Sequence, residues 1–201
     1  MTKKQLHIIS TGRQTETELI EKVAQIHSYI DFLHLRERNW TAQQFISVIE
    51  ALIDMGVPRE KIVINDRVDV AVKTNVGGVQ LASHSIDATF VKQQFPYLKI
   101  GCSVHSIEEA NIQEKAGAHF LMYGHVFQTQ SKANLPPRGL DSLRQIVNRV
   151  DIPIIAIGGV KPENMNLIFS TGAAGVAVLS GVLLAKDVKR AVERYSNQLM
   201  K

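Results

Sequence analysis

Three histidines follow short apolar runs and are the acid–base candidates of this sequence. They are His84, His105 and His125, and each lies in a polar segment behind a stretch of branched or apolar residues. Imidazole titrates near neutrality, so a histidine in such a position can accept or deliver a proton at physiological pH. For any one of them alone, a hydrogen-bonded loop histidine is the simpler interpretation. No pair has the spacing of a helical zinc site.

Two glycine-bearing segments indicate a different chemistry, the binding of phosphate. Ile157-Gly158-Gly159-Val160 and Val178-Leu179-Ser180-Gly181 end the last two apolar runs of the chain. Glycine lets a backbone approach an anion closely, and N–H groups at a helix start point toward it. Tight turns without a ligand are the alternative interpretation. We predict that a phosphate group of the ligand is bound by the backbone of Gly158, Gly159, Leu179, Ser180 and Gly181.

Carboxylates and thiols offer less chemistry than the histidines and glycines. Asp66 is the one well-placed acid after the third apolar run, and the fourth run is followed by none until Asp87. A magnesium site built from two carboxylates is therefore poorly supported. The single cysteine, Cys102, excludes an internal disulfide, and its apolar setting favours an inert buried thiol.

The elements that must position these residues are short strands alternating with longer amphipathic segments. Such alternation leaves two topologies open, a doubly wound sheet or a closed barrel. Eight units filling the whole chain favour a single (β/α)8 TIM barrel with one domain over residues 1–201, in which the loops after the strands carry the working residues. The predicted strands are Leu6–Ile9, Phe32–Leu35, Lys61–Ile64, Gly78–Leu81, Lys99–Ser103, Phe120–Tyr123, Ile154–Ile157 and Gly175–Leu179.

Helix boundaries are marked by hydroxyl residues and glycines. Thr15, Thr41 and Ser106 each precede a glutamate or glutamine by three residues, the pattern of a capping box at a helix start. Glycines then stand where a helix would end before the next strand. These predicted helix ends are Gly56, Gly117 and Gly172.

The connection from Gln128 to Gly139 stands out among the segments between predicted elements by its length and polarity. It contains Lys132, Pro136 and Pro137 and follows the sixth strand. Its length suits a mobile flap over a site, and a surface loop without function is an equally good interpretation.

Composition and charge exclude several classes of protein. Hydrophobic residues make up 45% of the 201 residues, enough for one packed domain. The net charge of +4 is scattered rather than clustered, so we expect no nucleic-acid partner. No apolar run approaches the length of about 18 residues that crosses a bilayer, and we expect a soluble cytoplasmic protein without membrane contact.

Taken together, the motifs resemble the thiamine phosphate synthase superfamily, and more closely its thiazole tautomerase (TenI) branch. The resemblance spans essentially the whole chain in order. Its fifth- and sixth-strand motifs, Gly101–Ser106 and Tyr123–Phe127, are those that favour the tautomerase branch. The superfamily motifs are His34-Leu35-Arg36-Glu37-Arg38, Asn65-Asp66-Arg67-Val68-Asp69, Gly124-His125-Val126-Phe127, Ala156-Ile157-Gly158-Gly159 and Val176-Ala177-Val178-Leu179-Ser180-Gly181.

The departures from the synthase pattern argue against synthase activity. Synthases of this superfamily bind a pyrimidine pyrophosphate with magnesium, using one acid after the third strand and another after the fourth. The first acid corresponds to Asp66, but the second falls at Ser85, which cannot replace a carboxylate as a ligand of a hard cation. The synthase pattern Gln-x-Arg-x-Lys reads here as His34, Arg36 and Arg38.

The tautomerase resemblance implies an isomerase that converts an exocyclic-alkene thiazole carboxylate phosphate to its aromatic tautomer. His125 would be the acid–base group and His105 a second shuttle or a ligand of the carboxylate. Arg36 and Arg38 would bind the substrate carboxylate, and Lys132 would close over the phosphate from the flap. The implied isomerisation requires no metal and no organic cofactor. The partner expected is this small molecule, and the resemblance suggests a homodimer.

Two further functions stay open at this point. One is a thiamine phosphate synthase-like transferase, against which Ser85 argues. The other is a non-catalytic regulatory barrel that senses thiamine-pathway phosphates, although the sequence has no evident DNA-reading element. The fold alone cannot choose among them, since barrels of this kind host many chemistries.

Overall fold

The computed structural model, which describes residues 3–200, is a closed barrel of eight parallel strands. Neighbouring strands pair in chain order, and the first strand closes the barrel by pairing with the last. The prediction of a (β/α)8 TIM barrel is confirmed. The strands are β1 Gln5–Ile9, β2 Phe32–Leu35, β3 Ile62–Asn65, β4 Gly78–Leu81, β5 Lys99–Val104, β6 Phe120–Gly124, β7 Ile154–Ile157 and β8 Gly175–Val178.

Helices cover the outside of the barrel between successive strands. The last two helices both follow β8. The helices are α1 Glu16–Ile26, α2 Ala42–Asp54, α3 Val68–Thr74, α4 Ala88–Gln94, α5 Ile107–Lys115, α6 Gly139–Val147, α7 Met165–Phe169, α8 Ser180–Leu183 and α9 Val188–Leu199. No helix within residues 3–200 has both the length and the apolar character needed to cross a bilayer.

Strand boundaries differ from the predicted ones by one residue at several ends, and two cases have a clear cause. Lys61 lies in a 3-10 turn, where its N–H donates to the carbonyl of Pro58 over 3.0 Å, so β3 starts later and includes Asn65. Leu179 leaves β8 because its φ of −94° and ψ of −76° already belong to the start of α8. The second shift concerns a residue that was predicted to bind phosphate.

Two of the three predicted capping boxes are complete. Thr15 and Thr41 each accept from the backbone N–H three residues on, and the Glu18 and Gln44 side chains bond back to the cap. Ser106 accepts from the N–H of Glu109, but the Glu109 carboxylate accepts from the N–H of His105 rather than of Ser106. The third prediction is therefore wrong for the hydrogen bond from the Ser106 N–H to the Glu109 side chain, because the carboxylate binds the N–H of the preceding residue instead.

The prediction that three helices end at glycines is confirmed by the φ angles of those glycines. Gly56, Gly117 and Gly172 have φ of 88°, 92° and 92°, a left-handed conformation that costs other residues free energy. Cys102 is buried, and this burial raises the pKa of its thiol to about 12, as expected for an inert cysteine.

The barrel interior has an apolar part and a polar part. The apolar part comes from β1 and β6 to β8 and consists of Ile9, Phe120, Met122, Ile155 and Ala177. The polar part comes from β1, β2 and β4, where His7, His34 and Gln80 are buried. Strand alternation sends every second side chain inward, so polar residues at that spacing line the interior below the strand ends.

Candidate functional site

The rim above β1 and β2 is a cationic segment held by local hydrogen bonds. The N–H of Arg36 donates to Ser10 Oγ over 2.8 Å, and the N–H of Gly12 donates to the buried Glu37 carboxylate over 3.2 Å. Burial, followed by repulsion from Arg38, lowers the pKa of Arg36, while Glu37 opposes that shift. Arg36 and Arg38 are close enough for their charges to repel, and an anion bound beside them would relieve that repulsion.

The rim above β3 carries the one carboxylate predicted from sequence. Asp66 has φ of 68°, a left-handed conformation that aspartate tolerates better than most residues, and its N–H donates to the carbonyl of Gln80 over 2.9 Å. The exposed His84 lies 3.7 Å from the Asp66 carboxylate. Arg67 pairs instead with Asp69 over 2.6 Å. The segment after β3 therefore places Asp66 and His84 side by side at the rim.

A magnesium ion held by two carboxylates does not fit these residues. Ser85 occupies the second position, and its hydroxyl accepts from the N–H of Ala82 over 2.8 Å within its own loop. Within residues 3–200, no group of three or more His, Cys, Asp or Glu side chains is placed to hold a metal ion.

The turn after β7, which was predicted to bind phosphate, also requires glycine for packing. Gly158 and Gly159 have φ of 97° and 65°. A Cβ on Gly158 would lie 2.2 Å from Cβ of His125, and one on Gly159 would lie 2.5 Å from the carbonyl of Gln128. These glycines let the segment after β6 pack directly on the segment after β7. Phosphate binding at this turn stays a prediction.

The turn after β8 is open to solvent. Ser180 and Gly181 are exposed where α8 begins, and Leu179 is partly buried. A Cβ on Gly181 would lie 2.4 Å from the hydroxyl of Tyr195, so this glycine too has a neighbour that requires it. β7 and β8 are adjacent strands, so the two glycine turns stand side by side at the same end of the barrel, as the phosphate prediction needs.

His125 is buried beneath the flap, the segment from Gln128 to Gly139. Its Nε2 lies 3.2 Å from the carbonyl of Leu135, and its own carbonyl accepts from the N–H of Arg138 over 2.9 Å. A carbonyl can only accept, so Nε2 carries the proton and Nδ1 is left without one in the neutral ring. The flap thereby fixes the tautomer of His125.

His105 meets the same segment from β5. Its Nδ1 lies 3.0 Å from the carbonyl of Gly124, which also accepts from Nε of Arg138 over 3.1 Å. The ring nitrogen must donate to this carbonyl, which leaves Nε2 as a free acceptor in the neutral ring. His105 and His125 therefore have opposite tautomers.

A cavity of about 520 Å³ lies between α5, α6 and the flap. It brings together three of the predicted residues, His105, His125 and Lys132, with Tyr123 and Arg138. Its lining does not include Arg36 or Arg38, nor any of the five residues predicted to bind phosphate. The predicted site is thus divided, with the histidines and Lys132 around a side cavity and the arginines and glycines on the rim.

The sequence interpretation missed a histidine pair inside the barrel. His7 Nδ1 lies 2.9 Å from His34 Nε2, and His7 Nε2 lies 3.2 Å from Gln5 Oε1. Burial lowers the pKa of His34 to about 3, and burial, then His34 and Lys99, lower that of His7 well below its usual value. Both rings are neutral at physiological pH. Both histidines lie within predicted strands, where side chains alternate between the two faces of the sheet. The sequence does not show which of these faces points into the barrel.

Comparison with known proteins gives a consistent family. The sequence pattern of the thiamine monophosphate synthase family matches residues 6–182. A thiamine-phosphate synthase of Pyrococcus horikoshii is 45% identical over 130 residues, which are 65% of this chain and 63% of that protein. This chain therefore matches slightly less than two thirds of that relative's length. A thiamine-phosphate synthase of Clostridium tetani is 34% identical over 169 residues, 82% of this chain and 79% of that protein.

Solved structures extend the similarity over the full barrel. Thiamine phosphate pyrophosphorylase from Pyrococcus furiosus superposes with a TM-score of 0.87 and 33% identity, covering 99% of this chain and 96% of that one. A 3-hexulose-6-phosphate synthase superposes with a TM-score of 0.77 over 96% of this chain and 99% of that one. Because the two sequences are 15% identical, this similarity shows a shared fold and nothing about function.

These relatives correct the expected reaction class. The prediction of an isomerase is wrong, because the relatives are named thiamine-phosphate synthase, and a synthase of this kind is a transferase. The role of His125 and His105 as acid–base groups of a tautomerase was part of that prediction and is withdrawn with it. The resemblance to the superfamily is confirmed, whereas the assignment to its tautomerase branch has no support in these names. The chain belongs to the thiamine monophosphate synthase family.

Proposed function

We propose that this protein is a transferase of the thiamine-phosphate synthase type, which joins a thiazole phosphate to a pyrimidine pyrophosphate. The observation that carries the proposal is the 33% identity with thiamine phosphate pyrophosphorylase from Pyrococcus furiosus over 99% of the chain. The rim adds chemical support, since it offers a cationic segment and a glycine-lined turn for two phosphorylated substrates.

The reaction is a substitution at carbon. The thiazole ring nitrogen forms a bond to the methylene carbon of the pyrimidine, and the bond from that carbon to the pyrophosphate oxygen breaks. Pyrophosphate leaves with the electron pair, and the ring nitrogen becomes cationic. Such a step needs the leaving group's charge to be neutralised and both partners to be held in line.

The residues of this chain divide these tasks by position. Arg36 and Arg38 are placed to bind the pyrophosphate, because guanidinium groups hold phosphate oxygens in forked hydrogen bonds and stay charged at neutral pH. The glycine turn at Gly158 and Gly159, with Ser180, would hold the phosphate of the thiazole. The rim from β1 to β3 thus binds one substrate and the rim from β7 to β8 the other.

The cavity beneath the flap belongs to the thiazole side of this arrangement. His125 packs against the glycine turn, since a Cβ on Gly158 would meet its Cβ at 2.2 Å. Lys132 lines the cavity from the docked flap, and we assign it the role of a cation that contacts the thiazole phosphate. His105 and His125 then act as ligands of the thiazole rather than as a tautomerase pair.

The test is a coupling assay with thiazole phosphate and pyrimidine pyrophosphate, with product and released pyrophosphate measured together. We expect equal amounts of both products, and Arg36→Ala to lower kcat/KM by about tenfold to a hundredfold, the range for losing charge-assisted hydrogen bonds. Arg144→Ala is the matched control, because Arg144 is an outer arginine of α6 that pairs only with Asp141, over 3.3 Å. Binding of both substrates without any coupling would refute the proposal.

A further inference from the structure

We infer that the part of the cavity behind β6 is a second anion site, in which Tyr123, Arg138 and Ser142 bind a phosphate or pyrophosphate ion and thereby hold the flap against the barrel. We call this part of the cavity the outer site. Anion binding at the outer site is independent of the proposed function. Its effect on the thiazole substrate rests on the proposed function, because it acts through the role assigned to Lys132.

The outer site lies on the helix side of the barrel wall. Side chains of a strand alternate between the two faces of the sheet. In β6, Phe120 and Met122 belong to the apolar cluster inside the barrel. Leu121 and Tyr123 belong instead to the core between the barrel and its helices. The residues predicted to bind phosphate at the glycine turns do not line the cavity, so an ion beside Tyr123 would occupy a different position.

Hydrogen-bond donors converge at the outer site. Tyr123 is 2% exposed, yet it lines the cavity together with Arg138 and Ser142. Burial raises the pKa of Tyr123, while a hydrogen bond with Ser142 and the charge of Arg138 oppose that rise. The phenol is therefore protonated at neutral pH and lies near both of these groups. A phenol, a hydroxyl and a guanidinium can each donate to an oxygen of one oxyanion.

The charge of the cavity lining favours an anion. Lys132 and Arg138 are its cations, and Glu108 is the one carboxylate among the described residues of the lining. Hydrogen bonds from its own backbone N–H and from Ser106 lower the pKa of Glu108, so this carboxylate is engaged at the start of α5. Arg138 donates from Nε to the carbonyl of Gly124 over 3.1 Å and forms no salt bridge with a carboxylate of residues 3–200. Its Nη groups can therefore bind an oxyanion in forked geometry.

The cavity has room for this ion beside the thiazole. Its volume is about 520 Å³. A water molecule takes about 30 Å³ in the liquid, and a phosphate ion is only a few times larger. An ion at Tyr123 and Arg138 therefore leaves the side of the cavity at His105 and His125 to the thiazole.

An ion in the outer site would join the flap to the barrel. Arg138 comes from the end of the flap, where its N–H donates to the carbonyl of His125 over 2.9 Å. Tyr123 and Ser142 belong to β6 and α6. Because the full set of donors exists only when the flap is docked, the ion binds the docked state more tightly and increases its population. Docking also brings Lys132 to the cavity, so the ion should lower KM for the thiazole phosphate.

Binding is tested by titrating the protein with inorganic phosphate and, in a second arm, with pyrophosphate, at an ionic strength held constant with sodium chloride. Calorimetry gives Kd, and NMR follows hydrogen exchange of the Arg138 amide. At an ion concentration of about ten times Kd, we expect this exchange to slow by about tenfold, since the docked state gains a factor of 1 + [ion]/Kd. Unchanged exchange in the wild type at saturating phosphate and pyrophosphate would overturn the inference without the need of a variant.

Tyr123→Phe tests the site without altering the hydrogen bonds of the flap. It retains the buried ring and removes one donor, and we expect it to weaken phosphate binding by about tenfold, the effect of losing a hydrogen bond to a charged group. Arg138→Gln should weaken binding at least as much, because it removes the charge. Arg190→Gln is the matched control, since Arg190 is exposed on α9 and does not line the cavity. Equal phosphate affinity in the wild type and in both cavity variants would refute the outer site.

A third titration with thiazole phosphate separates the outer site from the substrate's own phosphate position. We expect saturating thiazole phosphate to tighten binding of inorganic phosphate, because coupling between two sites is reciprocal. Displacement of the ion would show that one phosphate position serves the whole cavity, and would overturn a second site. Tighter binding of pyrophosphate than of phosphate would identify the reaction product as the natural ion, whereas the reverse order would identify free phosphate.

The coupling assay measures the consequence for the proposed reaction. Added phosphate should lower KM for thiazole phosphate at least twofold at unchanged kcat in the wild type and in Arg190→Gln, and should have no effect in Tyr123→Phe. A KM that does not respond to phosphate in the wild type would refute the regulation. Phosphate binding with protection of the Arg138 amide, in a protein that couples nothing, would refute the proposed transferase and support the outer site.

Discussion

Ser85 is the residue at which this chain departs most clearly from the synthase pattern. Its hydroxyl is used within its own loop, where it accepts from the N–H of Ala82 over 2.8 Å, and Asp66 is left as the carboxylate of this part of the rim. A carboxylate is a far better ligand of a hard cation than a hydroxyl. Under the proposed function, we therefore expect the coupling reaction to be slow and to be accelerated by restoring a carboxylate at this position.

Ser85→Asp is predicted to raise kcat of the coupling reaction in the presence of magnesium by about tenfold, or about 1.4 kcal/mol of transition-state free energy. The measurement is the initial rate of pyrophosphate release with and without the ion. Ser83→Asp is the control, because it adds the same charge at an exposed position of the same loop. An equal gain in both variants would mean that net charge, and not the position of the carboxylate, raises the rate.

The individual residues show where sequence interpretation succeeds and where it stops. His105, His125 and Lys132 were predicted from their place after strands and the flap, and they do line one cavity. The division between that cavity and the arginines of the rim could not be predicted, because it depends on how the flap folds onto His125. The His7–His34 pair depends on strand register, which places both rings on the inner face.

Among the elements, the flap is the one whose conformation decides access to the cavity. It is tied down near its end, where the N–H of Arg138 donates to the carbonyl of His125 over 2.9 Å and that of Gly139 to the carbonyl of Val126 over 3.1 Å. Pro136 and Pro137 immediately precede these bonds and restrict the backbone there. The prolines should therefore favour the docked flap by limiting its alternatives.

Replacing both prolines by glycine is predicted to speed hydrogen exchange of the Arg138 and Gly139 amides by about tenfold, since each proline restricts the unfolded segment by roughly 0.4–1 kcal/mol. Native-state exchange followed by NMR measures this directly. Pro96→Gly is the matched control, because Pro96 is an exposed loop proline outside the flap. If the protection of both amides is unchanged, the prolines do not stabilise the docked flap, and the two hydrogen bonds are sufficient to hold it.

At the scale of the whole molecule, the barrel was predictable because local signals agreed with one another along the entire chain. Strand positions were right within one residue at most ends, and Thr15 and Thr41 cap their helices as predicted. What the chain could not reveal was the content of the interior. An apolar run such as Phe32–Leu35 specifies a buried strand, but a histidine inside it fits either a packed face or a polar interior.

The polar interior has a consequence for the stability of the fold against acid. Burial lowers the pKa of His34 to about 3 and that of His7 well below its usual value, so the folded barrel keeps both rings neutral. In the unfolded chain both titrate near their ordinary pKa of about 6.5. Below that pH the unfolded state binds more protons than the folded state. The stability from these two groups is therefore complete above pH of about 6.5 and is lost as pH falls toward the folded pKa values.

We predict that the free energy of unfolding falls between pH 6.5 and pH 5 by up to roughly 1.4 kcal/mol per pH unit for each buried imidazole. Urea unfolding at a series of pH values measures the slope. His34→Gln should remove about half of it, because an amide does not titrate, whereas His27→Gln should leave it unchanged, since His27 lies on the outer 3-10 turn after α1. If the slope is the same in all three proteins, the carboxylates and not the histidines inside the barrel govern its response to acid.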